Sequence, residues 1–410
     1  MNQRPSFSRA ASRRAFLGAS AAMLGAPLIA GAKPPQARRA LEAGRLTKHD
    51  LATPALLLDL DAFDQNIAKM AAHAKSAGRA LRPHGKTHKC PEIARAQMRA
   101  GASGVCAATL HEAEVFAAHG IRGIFMTCEL VGKPKLRRLM KLAAAHRDLM
   151  VVADSADGAT ELSEAAVAAR VKLNVLIDVA VSGRTGVMPG KPALELVQHI
   201  SRLPGLKYAG IQAYAGHAAH AVGFDNRRSV STAAMTPAVD TRALLEKEGF
   251  ETPLLSGGST GTYNIDSELD GVSEIQPGSY VFMDLDYRRI GGRSGDLYED
   301  FAPSLKVLAT VVSRPSQNTV IIDAGLKAFS TDKPYLPECV TAPGVKYSWA
   351  GDEHGRLDIT SAGREVRLGD RLEFLAPHCD PSVNLYDRLH CVRGDRIEAV
   401  WNIAARGYRA

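Results

Sequence analysis

The sequence predicts an α/β chain in which a (β/α)8 barrel is followed by a smaller all-β domain. Three observations carry this. From about residue 54, short apolar runs alternate with amphipathic stretches of helical period. Gly or Pro marks most of the junctions, as at Gly78, Gly101, Gly120, Gly205 and Gly249. After Asp284 the helical stretches stop, and short β-rich runs separated by turn residues take over.

The candidate barrel strands are 55–60, 80–82, 104–108, 123–127, 149–153, 173–179, 208–214 and 253–256. They are nearly continuous in apolar residues, as strands buried on both faces of a parallel sheet are. The stretches between them, such as 62–77, 110–119, 156–169 and 229–247, suit covering helices. An open doubly wound sheet is the competing architecture, but no GxGxxG follows a first strand. In the second domain the expected strands are 304–313, 319–323, 365–368, 371–375, 388–392 and 397–403, and a stretch near 51–58 could pair with them. The divisions are then 1–32, 33–53 as linker and first β-domain strand, 54–284 as barrel, and 285–410 as β-domain.

Residues 1–32 are set apart by composition. Ser12-Arg13-Arg14-Ala15-Phe16-Leu17 has the twin-arginine pattern, an Ala- and Gly-rich apolar run follows to Ile29, and Ala30-Gly31-Ala32 offers a cleavage site. The expectation is export to the periplasm by the twin-arginine route without a lasting membrane anchor, because the apolar run is too short to span a bilayer. The formal charge of +8 owes four arginines to this segment; beyond it, 47 Lys and Arg face 43 Asp and Glu. So mild a surplus, with few aromatics, excludes a dedicated nucleic-acid surface. Six cysteines without a CxxC pair read as buried thiols rather than a disulfide framework.

In a barrel, chemistry gathers at the C-terminal strand ends. Four such ends carry unusual groups. Arg82-Pro83-His84-Gly85-Lys86-Thr87-His88-Lys89 follows the 80–82 run. Lys86 there stands among Arg82, His84, His88 and Lys89, and nearby cations favour the neutral, nucleophilic amine. Arg184 lies in Ser182-Gly183-Arg184-Thr185-Gly186; Tyr214, His217 and His220 come after 208–212. Gly257-Gly258-Ser259-Thr260-Gly261 can offer backbone N–H groups and two hydroxyls to an anion. A nucleophilic lysine beside a phosphate cradle points to pyridoxal phosphate, with Arg184 suited to the pyridine nitrogen. In the second domain His378 and Asp380 stand two residues apart, so an extended segment sends both to one face. That pair suits a divalent metal, Mn²⁺ above all, or Mg²⁺ or Zn²⁺.

These motifs resemble the fold-type III pyridoxal phosphate enzymes, within them the D-threonine aldolase and D-serine dehydratase group. The marks are RPHGKTHKCPEIA at 82–94, GIQAYAG at 210–216, GGSTGTYNID at 257–266, EIQPGSYVFMDLDY at 274–287, DAGLK at 323–327, DEHG at 352–355 and HCDPSVNLYD at 378–387. The resemblance implies an alanine-racemase-like barrel binding the cofactor through Lys86, a metal pair at His378 and Asp380, His220 as the base near the β-hydroxyl, and a homodimer. Dehydratases of the group resemble HxC at the metal pair, whereas this chain has HxD, like the aldolases. One departure stands out: the aldolase pattern resembles Tyr-His-Gly where this chain has Tyr214-Ala215-Gly216, with His217 downstream. The implied activity is cleavage of D-threonine and related D-3-hydroxy-α-amino acids to glycine and an aldehyde. Dehydration of D-serine or D-3-hydroxyaspartate to a keto acid and ammonia is the alternative, and a non-catalytic cofactor-binding protein a more distant one.

Overall fold

The structure, a computed structural model, describes residues 45–407, so the expectations for 1–32 fall outside the described residues. The first strand, β1 (Ala55–Asp59), corrects the expected barrel order: it lies in the β-domain sheet. Its apolar run looked like a barrel strand because it too is buried on both faces. Leu56 and Leu58 enter the main core, while Ala55 and Leu57 pack with Leu308, Val392 and Ile397.

The barrel strands are β2 (Ala80–Leu81), β3 (Val105–Ala107), β4 (Ile124–Met126), β5 (Met150–Ala153), β6 (Leu173–Asp178), β7 (Leu206–Ala213), β8 (Leu254–Gly257) and β9 (Glu274–Ile275). All neighbouring pairs are parallel, in the order β2-β9-β8-β7-β6-β5-β4-β3. The ring closes where His84 bridges Cys106, with Cys106 N–H donating to the Pro83 carbonyl at 2.9 Å. Strand β9 takes the eighth place that 55–60 was expected to fill. Its two residues are too few for any periodic signal.

The second sheet comprises β1 with β10 (Leu305–Ser316), β11 (Thr319–Ile322), β12 (Glu338–Cys339), β13 (Lys346–Trp349), β14 (Gly355–Asp358), β15 (Arg371–Leu375), β16 (Arg388–Arg393) and β17 (Arg396–Asn402). β1 sits at its centre, antiparallel to β10 (Ala55 opposite Leu308) and parallel to β16 (Leu57 opposite His390). The expected strand 365–368 is absent: Arg367 and Asp370 close a turn there, and Asp370 also pairs with Arg364 at 2.9 Å. Among the described residues no helix is long and apolar enough to cross a membrane.

Candidate active site

Lys86 is placed by the chain leaving β2. His84 completes the barrel, and Gly85–Thr87 make a single helical turn in which the Lys86 N–H donates to His84 Nδ1 at 3.4 Å. Glycine is required at the turn, since a Cβ on Gly85 would lie 2.5 Å from the Phe116 ring. The cations expected around Lys86 are turned elsewhere. Arg82 is buried against Glu274, its Nε 3.0 Å from both carboxylate oxygens and Nη2 2.9 Å from Oε2. Lys89 donates to Asn384 Oδ1 at 2.9 Å and sits 3.5 Å from Glu112. Burial holds the His84 imidazole well below its ordinary value and His88 down to about 4, so both rings are neutral at pH 7.

The electrostatic expectation for Lys86 is therefore corrected. Burial pushes its ammonium toward the neutral form and Arg184 adds to this, but Tyr214, Asp380 and Cys128 outweigh them and hold it above the ordinary lysine value. The nucleophilicity expected from neighbouring cations is not built into this arrangement; Lys86 is an ammonium beside an acidic and aromatic wall.

That wall belongs to a cleft of about 160 Å³ at the barrel mouth. Lys86, Tyr214 and His220 reach it from the barrel, Ser259 and Thr260 from the glycine-rich loop, and His378 and Asp380 from the β-domain. Gln276, Gly278, Ser279 and Tyr287, all from the segment after β9, line it as well. Lys86 Nζ lies 5.5 Å from the Tyr214 ring centre, and the Arg184 guanidinium 5.4 Å from the same ring. Arg184 itself is exposed and is not among the lining residues, though it is close enough to act on Lys86 and His84. His217 is also exposed and lies outside the lining.

Arg184 stands on a loop held from below by acids that sequence reading did not single out. Thr185 Oγ1 donates to Asp178 at 2.7 Å, Gln212 Nε2 donates to Asp178 at 3.0 Å, and the Gly186 N–H reaches Asp154 at 3.4 Å. Burial raises both Asp178 and its neighbour Glu129, the latter to about 7, so this carboxyl group holds a proton in part at neutral pH.

His220 lies in the short turn Ala218–His220, with its ring 4.6 Å from that of Tyr287. Its Nδ1 is 3.0 Å from Asp286 Oδ2, an ion-pair distance whose angle falls outside hydrogen-bond geometry. Lys333 Nζ reaches the same carboxylate oxygen at 2.7 Å. Burial opposes ionisation of Asp286, but the His220 and Lys333 contacts outweigh it and hold the carboxyl down at about 2.

His378 and Asp380 share the cleft, though not through an extended segment. His378 is extended and caps the helix Cys379–Val383, in which Asp380 sits. Cys379 is buried, its N–H donating to Asp284 at 2.8 Å. Among the described residues no group of three or more His, Cys, Asp or Glu side chains is gathered as a metal centre. The donor set that the cleft offers is thus one imidazole and one carboxylate, which fits a divalent metal completed by water and substrate.

The glycine-rich loop spends part of its hydroxyl chemistry on its own shape. Thr260 Oγ1 accepts from the Tyr280 N–H at 3.0 Å, and the Ser259 N–H donates to Thr262 Oγ1 at 3.2 Å. Gly258 has φ +75°, and Cβ atoms on Gly257 and Gly261 would lie 2.1 and 2.0 Å from the carbonyl oxygens of Ala213 and Ala219. Of the five loop residues, Ser259 and Thr260 face the cleft, while Gly257, Gly258 and Gly261 let the backbone pass close behind it. Thr87 Oγ1 is fully buried in the same lining without a hydrogen-bond partner. A lysine, an orphaned hydroxyl and an anion-suited loop around one cleft fit pyridoxal phosphate.

Comparison with known proteins agrees. Residues 58–286 match the family model described as "Alanine racemase, N-terminal domain", and residues 304–392 match "Putative serine dehydratase domain". The chain belongs to the fold-type III pyridoxal phosphate enzymes of the D-threonine aldolase and D-serine dehydratase group. D-threonine aldolase of Arthrobacter sp is 39% identical over 357 residues, covering 87% of this chain and 93% of that one. D-threo-3-hydroxyaspartate dehydratase of Delftia sp. (strain HT23) is 31% identical over 377 residues, 83% of this chain and 98% of that one. The crystal structure of D-threonine aldolase from Filomicrobium marinum superposes with a TM-score of 0.84 at 38% identity, covering 88% and 98% of the two chains. These relatives are enzymes acting on small amino acids, and both kinds are lyases.

Proposed function

We propose that the protein is a pyridoxal phosphate- and divalent metal-dependent aldolase that cleaves D-threonine and related D-3-hydroxy-α-amino acids to glycine and an aldehyde. The observation that carries this reading is that Lys86, His220, His378 and Asp380 line one cleft although they come from two domains. Pyridoxal phosphate would be held by Lys86, Tyr214 and the 257–261 loop, with Arg184 stacked on Tyr214, and would supply a sink for the electron pair left when the Cα–Cβ bond breaks. His378 and Asp380 would hold a divalent metal, Mn²⁺ in the first instance, which would supply a Lewis acid that lowers the pKa of the β-hydroxyl. His220 takes the hydroxyl proton, with Asp286 beside its other ring nitrogen. Lys86, in the same lining, returns a proton to the carbon that becomes glycine.

An aspartate at position 380, where the resembling dehydratases carry cysteine, favours carbon–carbon cleavage. The dehydratase likeness keeps loss of the β-hydroxyl as the second reading. Incubation of purified protein with D-threonine, pyridoxal phosphate and Mn²⁺ separates them. Acetaldehyde and glycine support the aldolase; 2-oxobutyrate and ammonia replace it with the dehydratase. Neither product, with no visible absorbance band from lysine-bound cofactor, would sink both. The export expectation from residues 1–32 is carried here as a proposal too, tested by whether the intact chain reaches the periplasm and a variant with both Arg13 and Arg14 replaced by Lys does not.

A further inference from the structure

The β-domain turn around residues 330–333 was silent in the sequence, yet it meets both reacting sides of the cleft. Lys333 reaches Asp286 beside His220. The residues before it meet His378. The His378 N–H donates to Ser330 Oγ at 3.0 Å, the Ser330 N–H donates to Ser382 Oγ at 3.0 Å, and Ser382 Oγ donates to the His378 carbonyl at 2.7 Å. This loop of bonds fixes the backbone of His378. Its ring is fixed separately, with Nδ1 2.7 Å from Asp332 Oδ2.

An imidazole can bind a metal only through a nitrogen that carries a lone pair, and a carboxylate can accept only from a nitrogen that carries a proton. A carboxylate at Nδ1 therefore selects the tautomer with the proton there and leaves Nε2 as the donor nitrogen. We propose that Asp332 is a positioning residue for the metal: it fixes the tautomer and ring orientation of His378 so that Nε2 is presented to the cation. This inference rests on the reading of His378 and Asp380 as the metal pair. It adds a residue that lies outside the cleft lining and 46 positions away from the histidine it sets. Carboxylates in this place raise the basicity of the imidazole as well as orient it.

The test is a Mn²⁺ titration of the cofactor-loaded protein without substrate, with free Mn²⁺ followed by its electron paramagnetic resonance signal. Asp332→Ala is expected to weaken Mn²⁺ binding by about 10–100-fold. Its thermal midpoint and the visible band of the Lys86-bound cofactor should stay those of the wild type, because Asp332 is 43% exposed and is not among the residues that line the cleft with Lys86. Asp332→Asn keeps an oxygen that can accept the Nδ1 proton but loses the charge, so it should fall between; it also serves as the test if the alanine variant does not fold. Wild-type Mn²⁺ affinity in Asp332→Ala, while His378→Ala loses binding, overturns the role of Asp332 and leaves the metal pair standing. Undiminished binding in His378→Ala, or no binding by the wild type, overturns the metal pair and Asp332 with it.

Discussion

Replacing Glu274 by Gln should damage the protein through Arg82, at a distance from the chemistry. Glu274 is 1% exposed and Arg82 6%. Their closest contact is 2.9 Å, and Glu274 also accepts from Ser256 Oγ at 2.6 Å and Ser103 Oγ at 3.2 Å. At that separation the mutual attraction is roughly 6 kcal/mol for an effective dielectric of about 20. Desolvation offsets part of it, so loss of one partner is expected to cost about 3–5 kcal/mol, most of it from the stranded guanidinium. The glutamine keeps one acceptor oxygen and puts an NH2 group where the second was, so one of the two serine bonds is lost with the charge. Arg82→Met should cost a comparable amount. The double variant Arg82→Met/Glu274→Met should recover much of the loss, because no buried charge then remains. Urea unfolding at pH 7, followed by far-ultraviolet circular dichroism, measures the three costs. Single-variant costs below about 1 kcal/mol, or costs that simply add in the double variant, would refute Arg82 and Glu274 as a buried charge pair.

Asp286→Asn should lower stability by on the order of 2 kcal/mol at pH 7, from a carboxyl held at about 2 rather than its ordinary 3.8. Because that value is depressed, the contribution is fully present above about pH 4 and fades as pH falls toward 2, so thermal midpoints of the two proteins should converge in acid; a constant gap rules this out. Asp266 is the opposite case. Burial raises it to about 6 despite bonds from Ser231 and Thr262, so wild-type stability should decline between about pH 4 and pH 6 on this account. Asp266→Asn should be free of that decline and more stable at pH 8 by roughly 1–3 kcal/mol, and a less stable variant at pH 8 contradicts it. Gly261→Ala drives a Cβ to 2.0 Å from the Ala219 carbonyl, next to His220, and should cost about 1–3 kcal/mol together with activity; an unchanged thermal midpoint counts against the close approach.

The strands of the barrel were legible because burial on both faces writes itself into the sequence as unbroken apolar runs. The same property misled at β1, since a central strand of the other sheet is buried on both faces as well. Short strands such as β9, β12 and β13 left no readable period, and 365–368 had strand composition but a turn's hydrogen bonds. The cleft residues that carry motifs, Lys86, His220, His378 and Asp380, were found from strand ends and spacing. Asp286, Asp332 and Lys333 were not, because their roles depend on a distant partner brought near by the fold. The electrostatics of Lys86 were misread for a related reason: adjacency in sequence said nothing of where Arg82 and Lys89 would point.

The central place of β1 in the second sheet has a consequence for synthesis. It leaves the ribosome first among the described strands, yet its partners β10 and β16 begin at Leu305 and Arg388. Through the whole making of the barrel, an apolar segment of four buried residues waits without its neighbours. The second sheet, and with it the wall of the cleft that carries His378 and Asp380, can close only when the chain is almost finished. A nascent chain stopped after the barrel would thus carry Lys86 and His220 with an unmated strand, a form prone to association and lacking half of its active site.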